Sequence, residues 1–499
     1  MFNKVLIANR GEIAVRIARA CREMGVGSVA VYSEVDREAL HVRIADEAVP
    51  VGGALPAESY LAIDRIIAAA REVGAEAIHP GYGFLAENPA FASACEAAGR
   101  TFIGPTAATL ELCGSKTAAR RLAVTAGVPI VPGVDRDLTD AEVSREAARL
   151  GYPVVVKATA GGGGRGMRVV ERSEELPRAL QAVRSEAGSA FGESALYIER
   201  YLQHPRHVEI QVLADGRGRV LHLGERECSI QRRHQKILEE SPSPAVTPTL
   251  RRRMGEAAVA LAAAAGYRNV GTVEFLVDAD GVFYFLEINP RLQVEHPVTE
   301  MVTGIDLVRA QITIAAGERL SLRQRDILPR GHAMECRISA EDPDHDFCPI
   351  PGRITLLASP GGPGIREDSG VYAGWEVPIH YDPLMGKVIA WGRDRAEAIS
   401  RMTRALAEYR IGGIETTVPF LLRLLRDPAF RRGEVDTGFV DRLVHERGLP
   451  VGRHHEVAVI AAALLIEKEE SGRPGRPLAP NRGGSGWRTA ARLEGLRDR

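Results

Sequence analysis

The sequence predicts a chain of mixed class, with an α/β first part built on an open parallel sheet and α+β parts after it. Three observations predict this. Over about the first 110 residues, buried-type apolar runs alternate with helically spaced segments. Strand–turn–strand patterns then fill the stretch to about residue 330, and short strands between Gly/Pro turns follow. At 499 residues the chain is long enough for about two to four domains.

Taken in order, Lys4–Ala8 reads as a strand, Ile13–Met24 as a helix, Ser28–Tyr32 as a strand, Tyr60–Val73 as a helix and Ala77–His79 as a strand. A βαβ series of this kind gives a parallel sheet. The series lacks GxGxxG, so it carries no dinucleotide fingerprint. The turn His79-Pro80-Gly81-Tyr82-Gly83-Phe84 reads equally as a glycine-rich crossing point or as a plain tight turn. Strands at Val154–Lys157 and Arg168–Val170 flank the run Gly161-Gly162-Gly163-Gly164-Arg165-Gly166. Strands 207–213 and 219–224 meet at Asp215-Gly216, and Gly271–Val277 and Val282–Asn289 form a hairpin closed by Asp278-Ala279-Asp280-Gly281. A helix is expected near Arg395–Glu408. Residues 471–499 are rich in Gly, Pro and Arg with little apolar surface, so a disordered basic tail is expected there.

Composition narrows the function classes. A net charge of -1 gives no bulk attraction to nucleic acid or membrane. The longest apolar run, Val457–Ile466, is short of the roughly 20 residues that cross a bilayer. The N-terminus lacks the apolar core of a signal peptide. Six cysteines without a CxxC pair read as reduced thiols, with neither zinc site nor disulfide framework, so a cytoplasmic protein is expected. The basic residues are more telling. Of 64, all but Lys4, Lys116, Lys157, Lys236, Lys387 and Lys468 are arginine. Ammonium and guanidinium are not interchangeable at a tight phosphate site, so Lys116, Lys157 and Lys236 are suspects on this ground alone.

The chemistry-bearing segments each have a bland alternative. Successive glycines at 161–166 let backbone N–H groups approach an anion, or simply make a mobile hairpin. This is not a Walker A loop, since Gly114-Ser115-Lys116-Thr117 has the wrong order. In the second hairpin Glu287 and Asn289 share a face. If the four-residue turn sets the register, Glu274 lies opposite Phe285 and diagonal to Glu287, about 7–8 Å away. Two carboxylates and an amide oxygen then suit Mg²⁺, the alternative being an exposed polar face. Arg291, Gln293 and Glu295 alternate next, either as a pocket for a small oxyanion with a base or as surface salt bridges. The run Glu225–Lys236 reads as a solvated charge run, except that Lys236 is a retained lysine.

These segments together resemble a known family. IANRGEIAVRI (7–17), HPGYGFLAEN (79–88), KATAGGGGRGM (157–167), PRHVEIQV (205–212), ERECSIQRRHQK (225–236), EINPRLQVEHPVTE (287–300) and MECRISAEDP (334–343) resemble the biotin carboxylases of the ATP-grasp superfamily, in order over about residues 1–446. The resemblance implies an ATP-grasp fold with a Rossmann-like N-terminal domain (1–115), an ATP-grasp domain (116–330) with a glycine-rich lid at about 132–203, and a mixed C-terminal domain (331–446). Residues 447–499 would be a helix and tail. It implies ATP, Mg²⁺ (or Mn²⁺) and biotin on a carrier protein as cofactors. Lys116 and Lys157 would bind phosphates, with Gly163 and Gly164 in the lid over the cofactor, the backbone of Glu199, Arg200, Tyr201 and Leu202 would hold the adenine, and His207, Gln231 and His234 would be further ATP-site residues. Glu274, Glu287 and Asn289 would hold the metal. Lys236, Arg291, Gln293 and Val294 would hold bicarbonate, Glu295 would be its base, and Arg337 would stabilise the biotin enolate.

No Met-Lys-Met attachment motif is present, so biotin is expected on a separate carboxyl carrier protein. The expected role is a free-standing subunit that carries out the first half-reaction of an acyl-CoA carboxylase, acetyl-CoA foremost, alongside carboxyltransferase subunits. A pyruvate or propionyl-CoA carboxylase subunit is the alternative. Arg19 and Glu23 resemble family dimer contacts, so a homodimer is expected. Two rivals are a carboxylate–amine ligase of the same superfamily and a non-catalytic nucleotide sensor. Against them stand the PRLQVEH and QRRHQK segments and the presence of Glu295, Lys236 and Arg337. Replacing Lys236 with Arg should remove most activity although charge is kept, while Lys468→Arg should be near neutral. Steady-state ATP turnover of the two variants checks this, and equal behaviour would refute the argument from lysine scarcity.

Overall fold

Strands β1 (Lys4–Ile7), β2 (Gly27–Ser33), β3 (Glu47–Gly52), β4 (Ala77–His79) and β5 (Thr101–Phe102) form a parallel sheet in the order β3-β2-β1-β4-β5. Pairing of β1 with both β2 and β4 places the first strand at the centre, where Val5, Leu6 and Ile7 are fully buried. Helix α1 (Gly11–Glu23) returns from β1 with Ile13, Ala14, Ile17, Ala18 and Cys21 inward, spaced as one apolar face of a helix. The sequence pattern anticipated β1, β2, β4 and both helices, the second observed at Ile63–Glu72, but missed the polar edge strand β3. The computed structural model describes residues 1–134, 138–158, 167–191 and 196–447. The expected tail at 471–499, and Gly163 and Gly164, lie outside the described residues.

A second, four-stranded antiparallel sheet has the order β6-β9-β7-β8, from Gly133–Val134, Leu196–Arg200, Val154–Ala158 and Met167–Val170 respectively. The third sheet carries the polar residues singled out in the sequence. It is antiparallel and begins β14-β13-β10-β11-β12-β15, from Phe283–Asn289, Arg268–Val277, Arg206–Asp215, Val220–Arg232, Gln235–Ser241 and His332–Ser339. Strands Leu384–Gly392 and Ile365–Ser369 complete it. Strands from before and after residue 330 therefore share one sheet.

Alternation gives this sheet two unlike faces. On β10, Val208, Ile210 and Val212 join Met254, Ala258 and Leu261 of the helix Pro248–Ala264 in one apolar core. His207, Glu209 and Gln211 point the other way, and all three are buried. At about 25 cal/mol per Å² of apolar surface removed from water, the apolar face is what holds the polar one in place.

The structure departs from three expectations. The run 225–236 is no solvated charge run. Strand β11 continues to Arg232, and Glu225, Arg226, Glu227 and Gln231 are buried in the sheet. Arg232 pairs with Gln235, so Arg233 and His234 form a two-residue turn with φ of +48° and +66° and lead into β12, which the pattern had missed. Secondly, Glu274 lies directly opposite Glu287, not Phe285. A register shift leaves Leu286 as an extra residue in β14, so Phe285 meets Phe275 and Glu287 meets Glu274. Thirdly, Arg291, Gln293 and Glu295 do not lie on a strand. β14 ends at Asn289 and an irregular segment leads to the helix His296–Thr303.

Close packing leaves no room for a side chain at Gly271 of β13. A Cβ on Gly271 would sit 2.1 Å from the Tyr267 hydroxyl oxygen and 2.4 Å from its ring. That ring is pinned by donation from its hydroxyl to the Val270 carbonyl at 3.0 Å. Gly271→Ala should destabilise the chain by about 1–3 kcal/mol. The expected result is a lowered thermal unfolding midpoint, and an unchanged midpoint would contradict the packing described.

Candidate active site

The polar face of the large sheet carries a chain of alternating charges. Arg226, fully buried, donates to Glu209 (2.5 Å), Gln211 (2.6 Å), Thr299 (2.9 Å) and Thr272 (3.0 Å). Lys236 Nζ lies 2.6 Å from Glu209, 2.9 Å from Glu274 and 2.6 Å from Glu295. Glu295 meets Arg337 at 3.1 Å, and Arg337 meets Glu239 at 2.5 Å. His207 Nε2 lies 2.9 Å from Glu274. Strand pairing sets much of this arrangement: Glu209 faces Glu274 on β10–β13, and Gln231 faces Lys236 on β11–β12. Arg337 is brought beside it by β15.

Electrostatics follow from burial and these contacts. Burial raises the Glu295 carboxyl, but Lys236, Arg337 and Arg226 outweigh it and hold the group well below the usual carboxylate range. Burial likewise opposes the charge on Glu274, yet Lys236 and His207 keep it ionised. Burial lowers Lys236, but the facing carboxylates raise it well above an ordinary lysine. Glu239 is pushed up to about 7 by burial, against the pull of Arg337. Glu287 is raised by burial and then by the charge on Glu274.

The irregular segment after β14 closes the site. Arg291 donates to Gln293 (2.8 Å) and Asn289 (3.2 Å) and pairs with Glu87 (3.0 Å) of the 79–88 segment. Gln293 donates to Glu274 at 3.3 Å. At the other end, Lys157 pairs with Glu199 (2.5 Å), which Arg120 also engages. Lys116 lies in the field of Glu287, Lys157 and Glu199, and burial pulls its ammonium down. Of the segment Glu199–Leu202, the Arg200 and Tyr201 N–H groups donate to the Pro132 and Pro153 carbonyls, so those two donors are already used.

Among the residues proposed from sequence, His207, Lys236, Glu274, Gln293, Glu295 and Arg337 thus converge directly. Glu287, Asn289 and Arg291 border them, Lys116, Lys157 and Glu199 form a neighbouring cluster, and His234 is exposed at its turn. Val294 is partly buried beside Glu295. Sequence reasoning missed Glu209, Arg226, Glu239 and Lys387. Period-two alternation with His207 could have found Glu209, and lysine scarcity could have found Lys387.

The donor set suits a hard divalent cation. Glu274 and Glu287 face each other, Asn289 Nδ2 lies 3.5 Å from Glu287, and among the described residues no Lys, Arg or His lies within 4.0 Å of Glu287. A facing carboxylate pair in which one member has no directly paired cation is expensive without a metal ion between them, and oxygen donors of this kind fit Mg²⁺. The tighter group His207, Glu209 and Glu274 is a poorer candidate because the Lys236 ammonium already neutralises it.

Comparison with known proteins gives the family. Residues 1–110 match the family model "Biotin carboxylase, N-terminal domain", 115–323 match "Carbamoyl-phosphate synthase L chain, ATP binding domain", and 335–442 match "Biotin carboxylase C-terminal domain". A biotin carboxylase of Nostoc sp. is 56% identical over 443 residues, covering 89% of this chain and 99% of the relative. A pyruvate carboxylase subunit of Methanothermobacter thermautotrophicus is 57% identical over 450 residues, covering 90% and 91%. The biotin carboxylase domain dimer of Hydrogenobacter thermophilus 2-oxoglutarate carboxylase, solved with MgADP, ADP and bicarbonate, superposes with a TM-score of 0.86 at 49% identity, covering 89% of this chain and 98% of that one. The ATP-grasp sheets, the buried charge chain and these matches lead to one conclusion: this chain belongs to the biotin carboxylase family.

Proposed function

We propose that this chain uses ATP to carboxylate biotin with bicarbonate, the biotin being presented by a separate carrier protein. The observation that carries the reading is the Glu295–Arg337 pair, tied by Lys236 to the carboxylate pair Glu274–Glu287. Lys116 and Lys157 take the phosphates. Glu199, Arg200, Tyr201 and Leu202 line the adenine, and His207, Gln231 and His234 line the remainder of ATP. Glu274, Glu287 and Asn289 would hold Mg²⁺, which when bound neutralises charge on the β- and γ-phosphates.

Arg291, Gln293, Val294 and Lys236 hold bicarbonate. Glu295, kept ionised by Lys236 and Arg337, accepts its proton. The bicarbonate oxygen attacks the γ-phosphoryl, ADP leaves and carboxyphosphate forms. Carboxyphosphate releases CO₂ and phosphate, phosphate takes the proton from the biotin ureido nitrogen, and that nitrogen attacks the CO₂ carbon to form the N–C bond of carboxybiotin. Arg337 supports negative charge on the ureido oxygen. We divide the chain into working parts at 1–115, 116–330 and 331–446. Arg19 and Glu23, exposed on α1, lie at a homodimer contact, and the carboxyltransferase partner selects the final acceptor. Among the described residues no helix is long and apolar enough to cross a membrane.

ADP formation should require bicarbonate and be stimulated by free biotin. Equal ADP release in degassed buffer would sink the proposal. The two half-steps should separate as well. Glu295→Gln should abolish bicarbonate-dependent ADP formation, while Arg337→Gln should keep part of it and lose carboxybiotin by about 10²–10³. The measurement is the ratio of carboxybiotin to ADP, and a wild-type ratio in both variants would refute the division. The Glu295–Arg337 contact adds a pH signature. Arg337 lowers the Glu295 carboxyl, so removing it raises that carboxyl, and a base is lost as pH falls through its own pKa. The acid limb of ADP formation should therefore move to higher pH in Arg337→Gln, and an unmoved limb would count against Glu295 as the base.

A further inference from the structure

Lys387 is the one retained lysine among the described residues that is fully buried, with its side chain wholly inside the protein. It lies on the strand Leu384–Gly392, paired with Arg337 on one side and Asp368 on the other, so the sheet carries it to the edge of the site. A buried ammonium is expensive and must be compensated. Its shortest contact is not with a carboxylate. Nζ donates to the Val294 carbonyl at 2.5 Å, and Glu12 Oε1 lies farther off at 3.3 Å. Glu12 in turn accepts from the Tyr82 hydroxyl, and the Tyr82 ring lies 5.9 Å from Nζ. Tyr82 belongs to the glycine-rich 79–84 turn that the sequence left undecided, so that turn packs against the site.

The Val294 carbonyl and the Glu295 N–H belong to one planar peptide and point in opposite directions. Anchoring the carbonyl therefore sets the direction of that N–H and the base from which the Glu295 side chain departs. Among the described residues, neither the Val294 nor the Glu295 N–H donates to a protein acceptor. We propose that Lys387 is a positioning residue for bicarbonate: it fixes the Val294–Glu295 peptide, and Glu12 and Tyr82 hold its ammonium from the N-terminal part of the chain. This rests on the reading above that Val294 and Glu295 handle bicarbonate. Lys387 reaches the base only through the backbone, so it is not itself a catalytic residue.

The kinetics of the full-length chain test this. ADP formation is measured against bicarbonate and against ATP, with ADP binding by calorimetry and the thermal midpoint as controls. In Lys387→Met the bicarbonate KM should rise about tenfold or more, as expected when a reacting group is displaced by a fraction of an ångström. The ATP KM and ADP affinity should stay within about twofold, because only one substrate loses its positioning. Glu12→Gln keeps the volume and removes the counter-charge beside the Lys387 ammonium, and should raise the bicarbonate KM in the same direction by less. If Lys387→Met does not fold, Glu12→Gln decides alone on the same criterion. An unchanged bicarbonate KM overturns the inference, and so does a parallel loss of bicarbonate and nucleotide binding with a fallen midpoint. A wild-type chain without bicarbonate dependence overturns the functional reading itself. Wild-type dependence that the variants leave intact overturns only the role of Lys387.

Discussion

Charge compensation on a dry sheet face is the constraint that governs this molecule. Arg226, Glu209, Lys236, Glu295, Arg337 and Glu239 succeed one another with alternating sign, and the carboxylates are all but excluded from solvent. Each ion alone would cost several kcal/mol to bury. Together they are tolerable only while every neighbour is present and correctly aimed. The same mutual dependence makes the groups stiff, so a base can be held ionised and oriented without reorganising when a reactant arrives.

The fold meets this constraint by giving the large sheet two unlike faces. Val208, Ile210, Val212, Val273 and Phe275 form a core against the helix Pro248–Ala264. That core anchors the strands whose opposite face carries the ions. The helix His296–Thr303 covers the polar side, contributing Thr299 to Arg226. Strands from both sides of residue 330 meet in this sheet, so Lys236 and Arg337 lie on adjacent strands although they are far apart along the chain. The N-terminal part reaches the same place through Glu87 to Arg291 and Glu12 to Lys387.

The choice between lysine and arginine has the same physical origin. Arg226 and Arg337 each serve several acceptors at once, which suits a planar fork of donors. Lys236 sits among three carboxylates and Lys387 against one carbonyl, where a compact ammonium fits. In a chain that uses arginine almost everywhere else, these lysines mark points where geometry rather than charge decides.

Local pattern was enough to specify β1, β2 and β4 of the first parallel sheet and the β10–β11 and β13–β14 hairpins. Periodicity reports which way a side chain faces relative to its own strand, and long motifs such as 287–300 report the family. The period-two reading placed Glu287 and Asn289 together because both lie on one short strand. What lies opposite them was settled by strand pairing. The extra residue Leu286 turned a diagonal Glu274–Glu287 pair into a direct one, and the end of β14 at Asn289 replaced an expected strand with the loop that delivers Glu295. Pairing also converted the run 225–236 from an expected solvated surface into buried sheet, because β10 supplies Glu209 to Arg226 and Arg206 to Glu227, and the helix Pro248–Ala264 supplies Arg251 to Glu225, counter-charges that local sequence does not contain. Whether a charged residue is buried depends on partners distant along the chain, and that information exists only once the strands have paired.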